Sequence, residues 1–112
     1  IHIQDMVRVY QHFLTNPDLA TGCYNAGFEN ISILEIAQRV NEAIPSEIDV
    51  SDSNDPRSYR QNSDKLRNSG FEPKYTVADA INEVIAKYRS GELIDDDQCH
   101  TVKWMKHLKL HQ

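Results

Sequence analysis

The chain has 112 residues and a formal charge of −5, which suits one small domain with a modest core. An isoelectric point near 5.4 argues against a general nucleic-acid binder, which needs a basic field, although local donors can still hold an anion. Mean hydropathy is −0.61, yet aromatic and β-branched residues run throughout, so disorder is confined to the ends.

Asp5 is placed to cap a first helix running to about Leu14. Met6, Tyr10, Phe13 and Leu14 then share a face, with Val7 beside them. Asn16-Pro17-Asp18 turns the chain. Gly22 to Ala26 reads as a short strand ended by Gly27. Ser32 and Glu35 have capping-box spacing, and Ile33, Ile36, Ala37, Val40 and Ile44 form an apolar stripe up to Pro45. Glu47 to Val50 alternates like a second strand. Ser63 is placed to cap a short helix through Leu66, closed by Gly70. Thr76 and Asp79 open a long helix whose buried side carries Val77, Ile81, Val84, Ile85 and Tyr88, and Gly91 ends it. Asp95-Asp96-Asp97 leads into a terminal helix around Val102 to Leu110. The expected class is α/β: a small, mostly helical chain with a few short strands.

Between the second strand and the short helix lies Asp55-Pro56-Arg57-Ser58-Tyr59-Arg60. Pro56 fixes one backbone angle before Arg57, and an arginine there can aim a planar fork of donors at a phosphate or carboxylate. The plainer reading is a solvated loop with Arg57 paired to Asp55 and Arg60 orienting the segment. Asn25 ends a strand, where ligands gather in open α/β sheets, but an asparagine also satisfies local backbone groups. His2 and Asp5 are three apart, and their structural reading as helix start outweighs acid–base chemistry. Cys99, His100, His107 and His111 match no closed zinc motif, and Asp95 to Asp97 lacks the glycine and distal glutamate of a calcium loop. No metal is expected. Cys23 and Cys99 form no Cys-x-x-Cys pair, and Cys23 reads as a small core residue. Trp104, Met105 and Leu108 read as a core anchor, a docking stripe for another subunit, or a face that meets a missing half of the protein. No signal peptide or membrane-length apolar run occurs, so a cytoplasmic protein without a membrane partner is expected.

Several motifs in order resemble the extended short-chain dehydrogenase/reductase family, the NAD-dependent nucleotide-sugar epimerases and dehydratases. They are His2-Ile3-Gln4-Asp5, Tyr24-Asn25-Ala26-Gly27, Ser32 to Ala37, Asp55 to Arg60 with Asp64-Lys65, and Gly70-Phe71-Glu72-Pro73. The resemblance covers most of residues 1–91 as a substrate-side C-terminal segment; residues 92–112 read as an acidic linker and terminal helix. It implies that Arg57 contacts the diphosphate of a nucleotide sugar, with Asp55, Asn25 and Arg60 as further substrate-binding residues, and that the complete enzyme uses NAD(P). No Gly-x-x-Gly-x-x-Gly turn occurs here. Nor does the catalytic Tyr-x-x-x-Lys: Tyr59 is followed by Ser63, Tyr75 by Asp79 and Tyr88 by Glu92. The chain also starts at Ile1 without a methionine. These features imply a fragment with no bound cofactor, no catalytic residue and no turnover of its own. Its severed edges imply a homo-oligomer. A noncatalytic α/β module that recruits a protein partner is the alternative reading.

Overall fold

His2 starts the first helix. The computed structural model describes residues 1–52 and 57–108. His2 is extended, and its Nδ1 accepts the Gln4 amide at 3.1 Å, which caps α1 (Ile3–Thr15). The expected cap, Asp5, instead lies inside the first turn and is fully buried. Its carboxylate is occupied elsewhere, by the backbone amides of Lys74 and Tyr75. The buried face differs from the expected one too. Val9 is buried and Met6 and Phe13 are half-buried, but Tyr10 is 67% and Leu14 82% exposed. The inward face carries Asp5, Arg8 and His12 beside Met6, Val9 and Phe13, so apolar spacing finds Met6 and Phe13 but misplaces Tyr10 and Leu14. Asn16 ends α1 by donating to the His12 carbonyl at 2.7 Å.

The expected α/β class is corrected, because the described residues contain helices and no strand. The reason lies in how residues 23–30 are held. Ser63 Oγ donates to the Gly27 carbonyl at 2.7 Å and accepts the Gly27 amide at 2.9 Å. Asn30 accepts the Gln61 amide at 2.8 Å and donates to the Gln61 carbonyl at 3.1 Å. Asn25 donates to the Asn62 carbonyl, and Lys65 Nζ to the Cys23 carbonyl. Side chains thus occupy the places that a neighbouring strand's backbone would take in a ladder. A Cβ on Gly27 would lie 2.0 Å from Gln61 Oε1, so glycine allows this close approach. Cys23 is exposed, not a core residue. The second expected strand, Glu47–Val50, also has no ladder, and Val50 is 74% exposed.

α2 (Ile33–Ala43) starts as expected: Ser32 Oγ accepts the Glu35 amide at 3.1 Å. α3 (Asp64–Asn68) is a short helix without a side-chain cap, since the Ser63 hydroxyl is engaged with Gly27. Gly70 follows it at φ +92, a left-handed conformation that favours glycine after a helix. Leu66, Val9 and Phe71 form the core, with Phe13, Tyr24, Ala26 and Phe28 packed against it. α4 (Val77–Ser90) opens on a reciprocal Thr76–Asp79 pair: the Thr76 amide donates to Asp79 at 2.8 Å, and Thr76 Oγ1 accepts the Asp79 amide at 3.2 Å. Glu29 accepts the Val77 amide at 3.2 Å.

The chain forms two compact units, Ile1–Asn82 and Glu83–Gln112. In the second, Gly91 turns at φ +76 and the Glu92 amide donates to the Lys87 carbonyl at 3.0 Å, closing α4. Asp96 caps a single 3-10 turn, Asp97–Cys99, and α5 (Thr101–His107) follows. Trp104 is half-buried, and its ring stacks on His107 at 5.2 Å. Among the described residues no helix is long and apolar enough to cross a membrane.

Candidate anion-binding cleft

The latch between residues 23–30 and α3 frames a cleft of about 380 Å³. One wall is Gly27, Phe28 and Asn30; the other runs from Arg60 through Ser63 to Asp64 and Arg67. Two arginines therefore line one polar hollow. Their guanidinium groups take part in no hydrogen bond or ion pair among the described residues. Arg67 is held instead by a ring, with its guanidinium 5.5 Å from the Phe28 centroid. The one carboxylate in the lining, Asp64, accepts from Asn62 Nδ2 at 2.9 Å.

Arg8 and Arg39, also in the first unit, are committed. Arg8 pairs with Asp5, donates to the Glu72 carbonyl at 3.0 Å and lies over Phe71. Arg39 pairs with Glu35 at 2.7 Å and Glu29 at 3.6 Å. A larger groove of about 430 Å³ between α2 and α4 is lined by Arg39, but that charge is already neutralised. Arg60 and Arg67, without an ion pair among the described residues, are what suit the cleft to an anion.

Phe28 links the cleft to the interior. It stacks on Phe71 at 5.7 Å, Phe71 carries Arg8 at 5.2 Å, and Arg8 pairs with Asp5. Burial pushes the Asp5 carboxyl up, but the Tyr75 amide, the Arg8 side chain and the Lys74 amide together hold it below the usual aspartate value. The aromatic wall behind Arg67 is thereby anchored on a charged, buried hub.

Of the residues expected to bind ligand, Arg60 lines the cleft. Asn25 serves the framework, donating to the Asn62 carbonyl at 3.1 Å. Arg57 is exposed, its guanidinium 5.7 Å from the Tyr59 centroid. Asp55 falls outside the described residues, as does His111. Arg67 and Phe28 are added to the expected set. Their pattern signal was slight: a basic residue in a short helix and an aromatic after Gly27. No group of three or more metal-ligating side chains occurs among the described residues. No protein-family model matches the chain, and no solved structure matches it significantly.

Proposed function

We propose that this chain is the substrate-side C-terminal part of an NAD(P)-dependent nucleotide-sugar epimerase or dehydratase. In this reading it holds the diphosphate of the substrate and is not catalytic by itself. The nicotinamide cofactor and the proton-transfer residues belong to the rest of the enzyme. The observation that carries the reading is Arg60. It lies in the segment the resemblance assigns to substrate, lines a polar cleft and has no ion pair among the described residues. A diphosphate offers several anionic oxygens to such a fork.

The test is titration of the isotopically labelled chain with a panel of nucleotide sugars, read by amide chemical shifts. Saturable shifts at residues 57–67, weakened by Arg60→Ala, support the reading. A panel that leaves those amides unmoved overturns it.

A second reading rests on α1. Ile3, Val7, Tyr10 and Leu14 are 64%, 45%, 67% and 82% exposed. Their 4-3-4 spacing is that of a helix-pairing seam. The stripe favours an assembly module whose first partner is another copy of the chain.

A further inference from the structure

Within that nucleotide-sugar reading, we infer that Arg67 is a second, independent anchor for the substrate's diphosphate, with Phe28 as the residue that positions it. The inference starts from charge. The chain is acidic at −5, so an exposed arginine has abundant carboxylates to meet. Arg67 nevertheless takes part in no ion pair among the described residues, even with Asp64 one helical turn before it on α3. Its guanidinium is held against the Phe28 ring at 5.5 Å, and both residues line the cleft that contains Arg60.

Stacking on a ring restrains the guanidinium plane without consuming its N–H donors. A restrained fork loses less entropy when an anion arrives. The Phe28 ring is itself fixed, stacked on buried Phe71. Arg60 belongs to the segment before α3 and Arg67 to α3 itself, so the two cations reach the cleft from separate elements. That arrangement suits an anion with two charged centres better than a single phosphate. Asp64 sets a limit: its carboxylate also lines the cleft, and its contact with Asn62 leaves its charge in place. A ligand must place its anionic groups toward the arginines and its neutral hydroxyls toward Asp64.

The experiment titrates the intact chain with inorganic pyrophosphate, inorganic phosphate and a nucleoside diphosphate, following amide shifts at Gly27, Asn62 and Arg67. Pyrophosphate should bind more tightly than phosphate. Arg67→Ala should weaken pyrophosphate binding at least about tenfold, the usual scale of one charge-assisted contact. Arg67→Lys should fall between the wild type and alanine, because it keeps the charge and loses the fork. Lys87→Ala, which removes an exposed cation from the second unit, should leave binding unchanged. Thermal midpoints of all variants should match the wild type, since Arg67 is exposed.

Wild-type affinity in Arg67→Ala, with loss in Arg60→Ala, overturns the inference and leaves the nucleotide-sugar reading standing. Equal losses in Arg67→Ala and Lys87→Ala reduce the effect to general charge and overturn it as well. A wild-type chain that binds neither pyrophosphate nor the nucleoside diphosphate defeats both.

Discussion

The Asp5 carboxylate accepts the backbone amide of Tyr75 at 2.9 Å, across a separation of 70 residues. It also takes the Lys74 amide and the Arg8 guanidinium, and it is fully buried. Removing one partner of such a group leaves donors without an acceptor. Asp5→Ala should therefore destabilise the first unit by about 3 kcal/mol. Urea denaturation measures this, and a loss below about 1 kcal/mol would show that the hub contributes little.

The same carboxylate predicts an acid limit. Its pKa is lower in the folded chain than the ordinary value, through the Tyr75 amide, Arg8 and the Lys74 amide acting against burial. The folded state thus binds a proton less readily than the unfolded state. The contribution is complete above the unfolded aspartate pKa of about 3.9 and is lost as pH falls through the folded value. Denaturation curves collected from neutral pH downward should show this loss in the wild type. Asp5→Asn, which cannot titrate there, should show a shallower decline, and parallel curves would contradict the assignment.

Ser63 is buried and bonds the Gly27 amide and carbonyl. Ser63→Ala strands both backbone groups and should cost roughly 2 kcal/mol. Gly27→Ala should cost less, because the added Cβ meets the end of the exposed Gln61 side chain, which can swing away. A thermal melt that ranks the two in the reverse order would mean that Gln61 is rigid and Ser63 incidental.

Leu14 is 82% exposed on α1 and should tolerate charge without loss of helix. If the stripe pairs two copies, sedimentation velocity will show concentration-dependent association that Leu14→Lys abolishes while circular dichroism stays constant. A wild type that remains monomeric across the concentration range removes the self-association reading.

Helix positions were largely legible from local chemistry. The Ser32 cap, the Thr76–Asp79 pair and the Gly70 and Gly91 turns are short-range signals that need no tertiary partner. The errors came from long-range polar contacts. Asp5 has the composition of a cap, but the Lys74 and Tyr75 amides claim it from the far end of the unit. Cys23 to Ala26 has strand-like residues, but the Ser63 and Lys65 side chains satisfy the Gly27 amide and the Cys23 carbonyl, and Asn25 turns its own side chain to the Asn62 carbonyl. In the cleft, Arg60 was visible as part of a polar segment. Arg67 was not, because its significance depends on the Phe28 ring beside it and on the ion pair it does not make among the described residues.

The inward side of α1 presents Asp5 to the Lys74 and Tyr75 amides, Arg8 to the Glu72 carbonyl and His12 to Ser69 at 3.0 Å. These three residues are spaced three and then four apart along one helix face. Apolar packing against Leu66 and Phe71 is forgiving, since one greasy contact can replace another. The polar triplet is not. Sliding the helix by one turn would put a buried carboxylate opposite the wrong partners, and each of the other two bonds would be lost as well. The register of α1 is therefore specified like a key in a lock, by three teeth that fit at one depth only.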